Sequence, residues 1–264
     1  MAEHGLINRL TKNLARVREE IAAACGRTGR DPRGVTLVVV TKYVDLPVID
    51  GLLAMGVSEL GENRVQQLVQ RAEALGARPS AWQEPEELAA ASQTGVSPIA
   101  PRWHMIGHLQ RNKVKMLLPL ARILHSLDSD RLAMEVQKTA ERLDVDVDAF
   151  IEVNVSGEVT KEGVTPDELP GLVEAVRGLS RIRLRGLMTM APFDPQPEHA
   201  RPYFARLRML LERLRDRGAV GPECRHLSMG MSQDYAVAVE EGATFVRVGS
   251  ALFEGLPPPH GNTG

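Results

Sequence analysis

Lys42 sits where an amine can react. It follows VTLVVVT, residues 35–41, a β-branched run too short for a helix and too uniformly apolar for a half-exposed strand. Such a run reads as a buried parallel strand, which places the Lys42 amine at the edge of an apolar core. Desolvation there lowers a lysine's pKa and exposes the nucleophilic free base, and condensation with a carbonyl to a Schiff base is the chemistry that follows. A solvated or ion-paired lysine is the commoner outcome at a strand end, so the amine needs company. Two strings far along the sequence supply it: Ser228-Met229-Gly230-Met231-Ser232 and Arg247-Val248-Gly249-Ser250. Small residues between a strand and a helix let backbone N–H groups and hydroxyls converge on a phosphate. Either string alone is as well read as a turn; the pair favours a phosphate site.

The elements that must hold these groups follow from periodicity. Leu6, Ile7, Leu10, Leu14, Val17 and Ile21 recur at three- and four-residue steps, predicting an amphipathic helix within residues 1–30 that packs outside the core. After VTLVVVT come strand-like runs at Ser58–Leu60, WHMIG, ILHSL, AFIEVNV, IRLRGLM, RHLSM and TFVRVG, with helical segments between them. Eight alternations in 264 residues predict a single (β/α)8 TIM barrel over 1–264, since such barrels take roughly 250 residues. Active groups of these barrels gather at the C-terminal ends of the strands. Those ends are polar here: Lys42; Glu62, Asn63 and Arg64; His104 and Gly107-His108; Ser126 and Asp128; Asn154 and Ser156; Met188 and Thr189; then the two strings above. RPYFARLRMLLERLRDRG (201–218) aligns Phe204, Leu207, Leu211 and Leu214 as the stripe of an outer helix. Residues 76–101, rich in Pro, Ala, Ser and Glu, read as an extended loop, and 256–264 as a tail.

Composition excludes several classes. With 32 Lys and Arg against 34 Asp and Glu, a net charge of −2 and a pI near 6.4, there is no basic field for nucleic acid or anionic lipid. Cys25 and Cys224 stand far apart with no partner at metal-ligand spacing, so they read as reduced thiols, and no metal is expected. MAEHGLINRLTKN lacks the apolar segment of a signal peptide, and no window reaches the roughly 18 apolar residues of a membrane span. A cytoplasmic monomer acting on small molecules is the expectation. Class I aldolases and pyridoxal 5'-phosphate (PLP) proteins both use an amine placed as Lys42 is.

The strings LVVVTKYVD, LGENRVQQ, WHMIGHLQRNKVK, HSLDS, IEVNVSGEVTKEGV, LRGLMTMAP and LSMGMSQDYAVAVEEGATFVRVGSALFEG, colinear over nearly the whole chain, resemble the PLP homeostasis proteins, a family similar to the N-terminal domain of alanine racemases. The resemblance implies that Lys42 forms the Schiff base with PLP and that Arg247 faces the pyridine nitrogen. It implies a phosphate held by Ser228, Gly230, Met231, Ser232, Gly249 and Ser250, with Asn63 and Asn154 lining the cofactor's other edge. Alanine racemases add a C-terminal β-domain and a catalytic tyrosine; this sequence ends at GLPPPHGNTG after the last strand, with Tyr43, Tyr203 and Tyr235 its only tyrosines. The expected fold lacks that domain.

Guanidinium can only donate, so a pyridine nitrogen facing Arg247 stays an unprotonated acceptor and the ring a weaker electron sink. The resemblance therefore implies a carrier, not a strong catalyst, keeping PLP (vitamin B6) and amino-acid pools balanced and serving PLP-requiring client enzymes. Two alternatives stay open from the residues: a PLP-dependent amino-acid racemase with Lys42 and a second group such as His104 as bases, or a Schiff-base aldolase acting on a phosphorylated sugar. His104 reads equally well as a packed barrel histidine.

Overall fold

Eight runs of β-forming residues become the strands β1 (Thr36–Val40), β2 (Glu59–Glu62), β3 (Arg102–Met105), β4 (Ile123–Leu127), β5 (Val147–Glu152), β6 (Ile182–Met188), β7 (His226–Ser228) and β8 (Phe245–Val248). Each lies parallel to the next, and β8 pairs with β1, so the sheet closes as a TIM barrel. The computed structural model describes residues 2–76, 84, 100–158 and 161–256. Every expected strand is present. AFIEVNV ends as a strand near Glu152: the Val153 N–H still donates to the Met188 carbonyl oxygen of β6, but the next N–H, of Asn154, turns to Val164 of its own loop.

Helices cover the outside: α1 (Ala2–Arg27), α2 (Leu46–Ala54), α3 (Val65–Ala74), α4 (Val114–Leu117), α5 (Asp130–Leu143), α6 (Leu169–Arg177), α7 (Arg201–Asp216) and α8 (Tyr235–Glu240). Local chemistry sets their ends. Ser129 caps α5 by accepting from the Leu132 N–H, and Asp144 closes it in the left-handed region at φ 51°. The expected apolar stripe of α1 is buried through Leu10, Leu14, Val17, Ile21, Ala24 and Cys25, and the helix lies against α2 and α8. In α7, Phe204, Leu207, Leu211 and Leu214 are the buried residues, as the spacing predicts.

Inside the barrel, Val38, Ile123, Phe150, Met188 and Phe245 form a small apolar cluster. Polar side chains share that interior, among them Glu59, His104, His125, Ser228 and Arg247, all buried. Gly186 permits the β6–β7 approach, because a Cβ there would lie 1.8 Å from the His226 carbonyl oxygen. The expected loop at 76–101 lies outside the described residues apart from its ends and Glu84, whose carboxylate meets Arg225 (3.1 Å) and His226 (3.0 Å) at the start of β7. Of the expected tail, 257–264 also lies outside them. No helix among the described residues is long and apolar enough to cross a membrane.

Candidate functional site

The segment carrying Lys42 is pinned from both sides. Arg71 of α3 donates to the carbonyl oxygens of Thr41 and Val44, at 2.7 Å each, and pairs with Glu62 at the end of β2. Glu62 also accepts from the Thr41 hydroxyl at 2.6 Å. Burial pushes the Glu62 carboxyl above the usual range, and the Arg71 charge opposes that rise. Lys42 itself is half-buried, with Nζ 4.6 Å from the centroid of the Tyr43 ring. The backbone on either side of Lys42 is thus fixed while its amine makes only a ring contact, an arrangement that suits an amine that must capture an aldehyde.

Beside it lie the two glycine- and serine-bearing loops. Pairing of β8 with β1 brings the loop after Val248 against the end of β1, so close that a Cβ on Gly249 would lie 3.1 Å from the Val40 carbonyl oxygen. Gly230 adopts φ 91°, and a Cβ there would meet the Ala238 Cβ at 2.5 Å, so only glycine turns this corner. Ser232 stitches the loops together by accepting from the N–H groups of Gly249 (3.1 Å) and Ala251 (3.3 Å). Met231 N–H is capped by the Asp234 carboxylate at 2.6 Å. The N–H groups of Ser232 and Ser250 find no protein acceptor among the described residues. Free donors of this kind, on adjacent loops at the strands' C-terminal end, are what an anion requires.

Arg247 projects into the barrel below these loops. It donates from Nη1 to the Ser228 hydroxyl (2.6 Å) and from Nη2 to the Thr189 carbonyl oxygen (2.9 Å). Burial lowers its pKa to about 10, against the opposing charges of Glu152 and Asp234, which still leaves a cation at neutral pH. Glu152, the last residue of β5, is its buried counter-charge. Burial raises that carboxyl to about 7, with Arg247 lowering it and Asp128 and Glu162 raising it further. Asp128 and Glu162 both contact His108 Nδ1, at 3.2 and 2.8 Å, on the rim of the mouth.

Three expectations need restating. Ser228 was expected at a phosphate, but its hydroxyl is fully buried between Arg247 and His125 Nδ1, the latter at 2.7 Å. Asn154 was expected along the cofactor edge, yet its amide organises its own loop. It donates to the Glu158 carbonyl oxygen (2.8 Å) and accepts from Ser156 Oγ and Gly157 N–H (3.0 Å each). His104 is buried in the barrel with both ring nitrogens engaged, by Glu59 (2.8 Å) and His125 (2.9 Å), so it is a packed histidine and not a base at the mouth. Asn63 stays half-buried at the end of β2, where its backbone presses on Gly107; a Cβ there would lie 2.4 Å from the Asn63 carbonyl oxygen. Sequence reasoning passed over Arg71, His125 and Glu152. Glu152 had a signal, since it falls two and four residues after the buried Phe150 and Asp148 on the same face of a strand.

A cleft of about 380 Å³ elsewhere is lined by Val176, Ile182, Leu184, Ala219 and Cys224. Burial pushes the Cys224 thiol to about 12, so it is no nucleophile there.

Fold and site together define a barrel of the alanine racemase N-terminal-domain class, and the family model of that description matches residues 52–257. The chain is 41% identical to the pyridoxal phosphate homeostasis protein of Aquifex aeolicus over 92% of its length and 96% of the relative's. It is 33% identical to the protein of that name from Escherichia coli K12 over 94% and 97%. This chain belongs to the pyridoxal phosphate homeostasis protein family. The structure of PipY from Synechococcus elongatus with PLP bound aligns at TM-score 0.73 and 27% identity, covering 92% of this chain and 99% of that one. An alanine racemase from Clostridium difficile shares the fold at TM-score 0.67 and 14% identity, this chain spanning only 59% of it.

Proposed function

We propose that this protein holds PLP and acts in PLP and amino-acid homeostasis as a carrier. The observation that carries the reading is the convergence of Lys42 on a pinned backbone segment, free N–H groups on two neighbouring loops, and a buried guanidinium. When bound, PLP supplies an aldehyde that a lysine amine can capture and a ring that can draw electrons from it. Lys42 would tether the aldehyde carbon, the free N–H groups of Ser232 and Ser250 would hold the phosphate on loops shaped by Gly230, Met231 and Gly249, and Asn63 would border the ring. Ser228 and Asn154 act one step removed, through Arg247 and through their loop. Arg247 can only donate, so a ring nitrogen facing it remains an acceptor and the electron sink is weak. That supports holding over catalysis, as do the relatives' names as homeostasis proteins. Delivery to PLP-requiring enzymes completes the proposal.

Titration with PLP and with phosphate-free pyridoxal tests it. A visible absorption band should appear with PLP at much lower concentration than with pyridoxal. No band with either, or equal affinity for both, would contradict the reading.

A further inference from the structure

A file of hydrogen bonds crosses the barrel interior. Arg247 Nη1 meets Ser228 Oγ at 2.6 Å, Ser228 Oγ meets His125 Nδ1 at 2.7 Å, and His125 Nε2 meets His104 Nδ1 at 2.9 Å. His104 Nε2 meets Glu59 Oε2 at 2.8 Å, and the other Glu59 oxygen meets Arg102 at 2.6 Å. Every member is buried. A row of polar groups through a barrel core demands that each donor find an acceptor, because an unmade hydrogen bond there is expensive.

The ends decide the direction. A guanidinium has no acceptor, so Arg247 donates to Ser228. The serine hydroxyl then gives its own hydrogen to His125 Nδ1, which leaves His125 protonated on Nε2. That nitrogen donates to His104 Nδ1, so His104 is also protonated on Nε2, and it donates to the Glu59 carboxylate. Arg102 already balances the Glu59 charge. An imidazolium at His104 would turn the two imidazole links around and leave the Ser228 hydrogen facing a donor. Burial, with His104 and Arg247 nearby, also holds the His125 pKa well below the ordinary histidine value.

We propose that His125 and His104 are positioning residues, anchoring Arg247 through a one-way chain that runs Arg247 to Ser228 to His125 to His104 to Glu59. With the Thr189 carbonyl oxygen on Nη2, two of the five guanidinium N–H bonds are committed to the barrel, and the orientation of the rest is fixed. Neither histidine touches the site; each acts through its neighbour. The function assigned to that orientation rests on the proposed PLP reading, whereas the chain does not.

Nitrogen NMR of the unaltered, PLP-free protein, with labelled histidine, tests the chain first. Both His104 and His125 should appear as neutral Nε2–H tautomers. A proton on His125 Nδ1, or an imidazolium at either site near neutral pH, overturns the proposal. Retention of PLP tests the consequence. His125→Phe keeps the ring stacked on Phe150, now 4.5 Å between centroids, but offers Ser228 no acceptor, and should weaken PLP binding about tenfold. His125→Asn can offer an oxygen near the Nδ1 position and should restore most of that loss. Unchanged binding in the phenylalanine variant, or no rescue by asparagine, overturns the positioning role. If the unaltered protein fails to bind PLP at all, the functional reading falls, while the tautomers still decide the chain.

Discussion

Glu152 and Arg247 are both buried and feel each other's charge, but burial costs the two groups unequally. Burial raises the Glu152 carboxyl from 4.5 to about 7 in the folded protein. The folded state therefore holds more protons than the unfolded chain between pH 4.5 and 7, and this group's contribution to stability falls as pH rises through that window. The loss amounts to about 3 kcal/mol once pH exceeds 7. Glu152→Gln should remove the dependence, so denaturation of the PLP-free variant should show a larger gain over the natural protein at pH 8 than at pH 5. An equal difference at both pH values would mean that Glu152 is ionised normally. Charge placed beside Arg247 also tunes how firmly the guanidinium stays a donor, which links this residue to the site.

At the scale of elements, the link between β2, α3 and the segment after β1 is what holds Lys42. Arg71→Ala would strip two carbonyl contacts and leave Glu62 buried without its cation. Breaking one side of a buried pair costs about 3–5 kcal/mol. Adding Glu62→Gln should recover part of this, because the stranded charge disappears. Additive losses in the double variant, read from denaturant midpoints, would argue against the pairing. The β6–β7 contact is less forgiving: Gly186→Ala puts a methyl into backbone at His226, and overpacking of this kind costs about 1–3 kcal/mol or more. Wild-type stability in that variant would contradict the close approach.

The strands were legible because apolar β-branched runs of parallel barrels need no partner to be recognised, and Lys42 was legible because it directly follows one. Arg71 was not, since its targets, Thr41 and Val44, lie 30 and 27 positions away and nothing local marks a helix arginine as structural. The chain from Arg247 to Glu59 needed a further step. Alternation within β2, β3, β4, β7 and β8 puts Glu59, His104, His125, Ser228 and Arg247 on inward-facing positions, but only barrel closure makes them neighbours. The partners of the Ser228 and Asn154 side chains were not legible, because sequence shows a polar residue at a strand end and not which way it faces.

Across the whole molecule, α1 does more than cover an apolar seam. Asn13 donates to the carbonyl oxygens of Leu252 (2.9 Å) and Glu254 (3.0 Å), and Arg16 to that of Ala251 (2.9 Å). The first helix thus holds the last loop, which carries Gly249 and Ser250. Asn13→Ala should speed amide hydrogen exchange at residues 250–254 about tenfold, the effect of losing roughly 1.4 kcal/mol of local protection. Acceleration spread evenly over the barrel would show that α1 contributes global stability and no specific latch.

All of these supports converge on one amine. Incubation of the protein with PLP, reduction with borohydride and mapping of the modified peptide by mass measures that directly. The expected result is a pyridoxyl phosphate adduct on Lys42, lost in Lys42→Ala together with the visible absorption. Modification scattered over several surface lysines, or absorption that survives Lys42→Ala unchanged, would contradict the account.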